Sequence, residues 1–213
     1  MRGLLQSRAA SRTPAFSSKP TSDGNTMTVM DLTRGREIAQ SEVASVSGKY
    51  WDFVGNVYRE RLNLSTDEIS GFVASSKAFE DRTKLVVMTR GPPSNHAFEG
   101  GAAIVESNKA SDLLPLEKAT GVKIPRDQGK IAELVRLTSV SESNPNIMKE
   151  LLEELSAVIK ADPEVKKLYV YTSKAHTRLY RRLGIPYKQV GNPIERDVII
   201  EVNASDFVNQ LTP

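Results

Sequence analysis

Side chains able to do chemistry are limited in kind here. The 213-residue chain has no cysteine, which excludes disulfides, thiolate nucleophiles and cysteine-ligated zinc. Its two histidines, His96 and His176, form no cluster dense enough for a metal site, so no metal is expected. Carboxylates, phenols and guanidinium groups are among the candidates that remain. Glu133 and Arg136 stand three residues apart in the apolar run GKIAELVRLTSV. Tyr180 stands among Arg178, Arg181 and Arg182, with Lys188 close behind. A carboxylate can take a proton from an ammonium group, and a phenol with a pKa of about 10 can give one. Residue types alone leave plainer readings open. Glu133 reads equally as a strand carboxylate paired with Arg136 or solvated, Tyr180 as a core aromatic with its hydroxyl at the surface, and the arginines as a solvated helix face.

The elements that must position these groups follow from periodicity. KYWDFVGNVYRERL repeats apolar residues at Trp51, Val54, Val57, Tyr58 and Leu62, which predicts an amphipathic helix over residues 49–62. Ser65 and Glu68 have capping-box spacing, and Ile69, Phe72 and Val73 supply the apolar stripe of a second helix ending near Phe79. KLVVMT (84–89) reads as a strand, RGPPSNHAFEGG as a polar turn and GAAIVES as its hairpin partner. After a loop with Pro115 and Pro125, a third strand is expected over 132–140. The next segment carries the strongest helix signal. Ser143 or Asn144 can cap it, Pro145 suits the first turn, and Ile147, Leu151, Leu152, Leu155, Val158 and Ile159 fall at helical spacing before Asp162-Pro163 stops it. KKLYVYTS then reads as a buried strand, KAHTRLYRRLG as a short helix closed by Gly184, and ERDVIIEV as a last strand. This order predicts a single α/β (α+β) domain with a mixed sheet covered by helices.

Charge refines the picture. The formal charge of +3 resides wholly in Met1–Thr26, where Arg2, Arg8, Arg12 and Lys19 face Asp23. Residues 1–26 have few apolar side chains and are expected to be a disordered basic leader, with the folded domain over 27–213. Without an apolar h-region the leader does not read as a secretory signal. It reads as a plain tail or a start upstream of Met27, or, being rich in Arg and Ser, as an organelle transit peptide. A neutral body argues against a nucleic-acid module, and no run of about 18 apolar residues predicts a membrane span. The cytoplasm is the expected location, an organelle matrix the alternative.

Two segments resemble a known superfamily. YVYTSKAHTRLYRRLGIPYKQVG is similar to the late strand, helix and strand of the GCN5-related N-acetyltransferase (GNAT) superfamily, whose helix carries an A..LY..LG pattern; here those positions are Ala175, Leu179, Tyr180, Leu183 and Gly184. GKIAELVRLTSVSE resembles the fourth strand of the autoinducer (acyl-homoserine-lactone) synthases and long-chain N-acyl amino acid synthases, which open it with Glu-x-x-Arg; the pair here is Glu133 and Arg136. The resemblance covers roughly Tyr50 to Val202. It implies a mostly antiparallel central sheet with helices on both faces, whose fourth and fifth strands splay to admit a pantetheine arm. It implies acyl transfer from an acyl-CoA, or from the acyl-phosphopantetheine of an acyl carrier protein, to a small-molecule amine, possibly an amino acid. Glu133 would be the general base and Tyr180 the acid that protonates the thiolate. Backbone N–H groups near Thr138–Val140 would stabilise the oxyanion. Donor binding would fall to Arg136, Leu137, Thr138, Ser139, Val140, Asn146, Ser173, His176 and Arg178.

Two departures sharpen these expectations. The superfamily's glycine-rich pyrophosphate turn is replaced by SVSESNPNIMKEL, which has no glycine and adds Glu142; this favours a carrier-protein or long-chain donor over a close phosphate cradle. GGAAIVES (100–107) lacks the arginine that helps autoinducer synthases hold adenosylmethionine, which favours acylation of another amine over homoserine-lactone formation. Arg178, Arg181, Arg182 and Lys188 form the basic cluster that would dock an acidic carrier protein or CoA phosphates. The alternative is a catalytically silent domain of the same fold that senses acyl-thioesters or binds a protein.

Overall fold

The computed structural model describes residues 16–21, 24–32, 40–90, 97–127, 129–140 and 146–212. Helix α1 (Gln40–Leu62) begins earlier than its apolar repeat suggests and buries Tyr50, Trp51, Val54 and Val57. Leu62, expected on that face, is exposed at the helix end. Helix α2 (Thr66–Lys77) starts at the predicted capping box: the Ser65 N–H donates to Glu68 Oε2 at 2.7 Å, and the Glu68 N–H donates to Ser65 Oγ at 3.3 Å. Both bonds satisfy donors that the first helical turn leaves free.

Strands β1 (Phe16–Pro20), β2 (Thr26–Asp31), β3 (Thr83–Arg90), β4 (Ala97–Ser107), β5 (Lys130–Ser139), β6 (Val165–Ser173), β7 (Lys188–Ile194) and β8 (Asp197–Asn203) form one sheet in the order β1-β2-β3-β4-β5-β6-β8-β7. Alternation in the central strands divides two cores. Val86, Met88, Ala102 and Ile104 face helices α4 (Asn146–Lys160) and α6 (Ala204–Leu211), while Leu85, Val87 and Ala103 face α1. Because helices cover both faces, LVVM in β3 is buried throughout, the signature of a sandwiched strand. Short helices α3 (Pro115–Thr120) and α5 (Thr177–Arg182) lie in the connections before β5 and after β6.

All neighbouring strands are antiparallel except β5 and β6, which run parallel. Their pairing extends from Lys130 to Glu133 on β5 and from Val165 to Tyr169 on β6, and then ends. These are the strands expected to splay, and the domain has the predicted fold class.

Several expectations require correction. Phe16–Pro20, assigned to a disordered leader, pairs with Thr26–Asp31 as the edge strand of the sheet; the sheet therefore begins before Met27. Backbone ladder bonds and a Ser18–Thr28 hydroxyl contact at 2.8 Å hold a segment that has little apolar surface of its own. Residues 1–15, His96 and the predicted cap at Ser143–Pro145 lie outside the described residues. Strand β2 and helices α3 and α6 were not assigned from the sequence, and β7 was expected only through the resemblance, as the strand that ends YVYTSKAHTRLYRRLGIPYKQVG. Among the described residues no helix is long and apolar enough to cross a membrane.

Candidate active site

The site forms on β5 where its partner strand departs. Ala132 and Leu134 enter the core against α4, so Glu133 between them points to the opposite face with Ile131. On that face Glu133 lies opposite Val105 of β4 and beside Tyr169 of β6, its last partner before the strands diverge. Covered from both sides, it is 3% exposed. Its Oε2 accepts the Leu116 N–H at 2.8 Å. Desolvation pushes its pKa up to about 8; the Leu116 N–H and the Arg136 charge restrain the rise, while Glu117 adds to it. A group in this state carries a proton at neutral pH and becomes a base within reach of physiological conditions.

Helix α3 supplies the Leu116 donor and is held by an ion pair. Glu117 and Arg126 are bonded to each other with side chains nearly inaccessible to solvent. Glu117 also accepts N–H bonds from Leu114 and Ile124, each at 2.8 Å. Burial alone would raise the Glu117 pKa, but Arg126 and these two N–H groups outweigh it and hold the carboxyl below its ordinary range. Arg126 further donates to Ser107 Oγ at 3.0 Å and to the Asp112 carbonyl at 3.2 Å, tying the α3 region to the end of β4.

Three residues beyond Glu133 the strand bulges. Gly101 pairs with Thr138 and Ala103 with Val135, so two β5 residues, Arg136 and Leu137, face Ala102 alone. Arg136 takes φ 59°, a left-handed conformation that costs a non-glycine residue roughly 1–3 kcal/mol. Its carbonyl accepts the hydroxyl of fully buried Tyr50 at 2.9 Å. A Cβ at Gly101 would stand 2.4 Å from the Tyr50 ring, so the missing side chain admits the ring that anchors the bulge. The guanidinium of Arg136 lies 3.7 Å from the Phe72 ring centroid, and its Nε donates to Ser76 Oγ at 3.3 Å.

Beside this bulge is a cavity of about 190 Å³. Trp51, Phe79, Val105 and Val135 give it apolar walls, and Arg136 and Lys118 give it two cations. Val105 and Val135, which line it, flank Glu133 on the same sheet face, while Glu133 itself is not part of the lining.

The other candidates are dispersed. Tyr180 is 2% exposed and packs in the core against α4, on the opposite sheet face from Glu133; burial raises its pKa well above the ordinary phenol value. Leu137 packs against that same core. Thr138 and Ser139 are buried, and Thr138 Oγ1 has no hydrogen-bond partner among the described residues. Val140 is 41% exposed, and its N–H is committed to the Glu99 carbonyl at 2.9 Å, which removes it as an oxyanion donor in this conformation. Asn146 is exposed at the start of α4. Ser173 ends β6, where its Oγ accepts the N–H of exposed His176 at 3.3 Å. Arg178, Arg181 and Arg182 are exposed on α5, but Lys188 belongs to β7 and pairs with Glu201 at 3.0 Å. The basic face is therefore narrower than the sequence suggested.

Sequence reasoning missed Leu116, Glu117, Lys118, Arg126, Tyr50 and Phe72. A local signal existed for α3 alone: PLEKAT places Pro at its first position and Glu in its first turn. The rest depend on contacts distant in sequence.

Compared with family models and with curated protein sequences, the chain matches none. Solved structures do match. TofI in a ternary complex with an inhibitor and MTA aligns with a TM-score of 0.60 and 18% identity, covering 87% of this chain and 95% of TofI. BjaI, a CoA-dependent acyl-homoserine lactone synthase with SAM and isopentyl-CoA, aligns at 0.59 with 12% identity, covering 86% and 85%. FeeM, an N-acyl amino acid synthase from uncultured soil microbes, aligns at 0.58 with 13% identity, covering 91% and 96%. The chain shares the GNAT-like fold of these proteins.

Proposed function

We propose that this chain is an N-acyltransferase that moves an acyl group from a thioester, carried on CoA or on acyl carrier protein, to an amine. The observation that carries this reading is the placement of Glu133: a buried carboxylate, tuned towards neutrality, at the point where β5 and β6 part. Acyl transfer by the similarly folded synthases supports it.

The chemistry follows from the groups at hand. Glu133 takes one proton from the ammonium group, directly or through water, and the free amine nitrogen attacks the thioester carbonyl carbon. A C–N bond forms, the carbonyl π electrons move to oxygen, and the tetrahedral intermediate collapses as the C–S bond breaks. The departing thiolate takes a proton from an acid to become the thiol, and the nitrogen's second surplus proton, passed through water, restores that acid. Tyr180 is the proposed donor: its burial keeps the phenol protonated, and a pantetheine arm passing through the gap would reach both sheet faces. Glu133 returns its proton to solvent, so the balance is amide, thiol and one released proton.

The proposed donor route runs past Ser173, His176 and Arg178, with Arg178, Arg181 and Arg182 meeting an acidic carrier or CoA phosphates. The absence of arginine from GGAAIVES favours an amino acid or related amine over a lactone-forming substrate. Mass spectrometry of lipid extracts from cells overexpressing the chain tests the reading. New N-acyl amines that disappear with Glu133→Gln are expected, whereas thermal stabilisation by thioesters with no new product would favour a silent binding domain.

A further inference from the structure

The N–H that meets Glu133 belongs to an element with little stability of its own. Helix α3 has six residues, and an isolated helix shorter than roughly 12–15 residues is marginal in water. Leu114, Leu116 and Ile124 seat the segment on the sheet by apolar contact, which is non-directional and sets depth more than orientation. Orientation comes from Glu117. Its Oε2 accepts the Leu114 N–H before the helix and its Oε1 the Ile124 N–H beyond it. Arg126 grips both oxygens, Nη1 donating to Oε1 at 2.7 Å and Nη2 to Oε2. The same guanidinium reaches the end of β4, where Nε donates to Ser107 Oγ at 3.1 Å and Nη2 to the Asp112 carbonyl at 3.2 Å. Ser107 pairs with Ile131, two residues before Glu133 on β5. Arg126 thus ties the helix that supplies the donor to the strand beside the acceptor.

We propose that Arg126 is a positioning residue for Glu133: through Glu117 it fixes α3 so that the Leu116 N–H stays on the Glu133 carboxylate. The inference rests on the acyl-transfer reading for its role in catalysis, and adds to it the part that sets when the base is available. The tolerance is small. The Leu116 bond is 2.8 Å long, and displacing α3 by about 1 Å takes it outside hydrogen-bond range. The other charged or titratable groups near Glu133 are engaged elsewhere. Arg136 of its own strand is held by the Phe72 ring, Ser76 and Tyr58. Lys118 of α3 has its Nζ 5.6 Å from the Phe79 ring centroid. Tyr169 of β6 donates its hydroxyl to Glu201 at 2.7 Å, and Val105, opposite on β4, carries no charge. Losing the Leu116 N–H removes a donor to the ionised form, and a Glu117 without its cation adds a like charge. Both effects move the Glu133 titration upward.

The test follows the Glu133 carboxyl and the Leu116 amide across pH by NMR in the full chain, with isotope-labelled glutamate and leucine and with Glu133→Gln as the control. In wild type the Leu116 amide signal should move with a midpoint of about 8, and in Glu133→Gln it should not. Arg126→Met should raise the Glu133 midpoint by about one to two pH units, the size of a lost hydrogen bond to a charged group, and abolish the amide response. At about pH 7 its kcat/KM should fall by about tenfold to hundredfold, with the loss shrinking as pH rises, which a general loosening of the fold would not produce. Arg126→Lys keeps a cation for Glu117 but not the fork to Ser107 and Asp112, so it should fold and move the midpoint upward by less. A wild-type midpoint and amide response in the lysine variant would overturn the assignment, whether or not the methionine variant folds. Neither signal needs substrate. The predicted shifts without any amide product would leave the positioning role standing and remove the reaction reading, whereas acylation with a wild-type pH profile in Arg126→Lys would remove the positioning role alone.

Discussion

Glu133 and Tyr169 are the last partners in the parallel ladder between β5 and β6. One side of the pair is continuous sheet, and the other is the opening between strands. The carboxylate thus has the rigidity of a central strand and lies beside a gap in the sheet. The Leu116 N–H fixes its orientation from α3, and the bulge at Arg136 begins three residues further on.

The first prediction concerns pH. With its folded pKa near 8, Glu133 is active in the ionised form, so kcat/KM should rise with pH along a limb centred at about 8. Glu133→Gln should lower kcat by about 10²–10⁴-fold and remove that limb. Initial rates across pH check both; a limb retained by the variant would assign it to another group.

The same shift has a consequence for stability. Unfolded, Glu133 titrates near the ordinary 4.5; folded, near 8. The folded state binds the proton more tightly, so this contribution is full below the lower value and is lost as pH rises through the higher one. The melting-temperature difference between Glu133→Gln and wild type should therefore be small near pH 4 and grow in favour of the variant up to about pH 9. Thermal denaturation across that range measures it, and a constant difference would refute the assigned titration.

Arg126 neutralises a buried acid next to the site. Arg126→Met leaves Glu117 without its cation, which costs about 3–5 kcal/mol for a buried pair broken on one side. Urea denaturation should show that loss. Loss of under about 1 kcal/mol would mean that the N–H bonds from Leu114 and Ile124 suffice alone.

Tyr180→Phe removes a hydroxyl and keeps the ring that packs against α4. Little change in stability is expected, together with a kcat lower by about tenfold to ten-thousandfold if the phenol protonates the thiolate. Steady-state rates decide: an unchanged kcat would leave Tyr180 a core residue alone.

Local signals were legible and long-range ones were not. The Ser65–Glu68 capping box and the stripe through Ile147, Leu151 and Leu155 are set by neighbours within a few residues, so periodicity found them. Strand β1 is polar and short; its order comes from pairing with Thr26–Asp31, which no window over Phe16–Pro20 contains. Glu133 shows the same division in the site. Its spacing to Arg136 was visible, but its burial arises from β4, β6 and α3, which separate a solvated carboxylate from a tuned one. The bulge also left no sequence mark, because Arg136 adopts its left-handed φ under restraint from Tyr50, 86 residues away in sequence.

The most direct test of the central claim is reconstitution with purified full chain. Acyl-CoA and acyl-carrier-protein donors are incubated with a panel of amines, and thiol release and N-acyl product are followed together by mass spectrometry. The account predicts an amide formed in equal amount to the thiol by wild type and reduced at least a hundredfold by Glu133→Gln. Equal product from both proteins, or no amide from any donor, would contradict it.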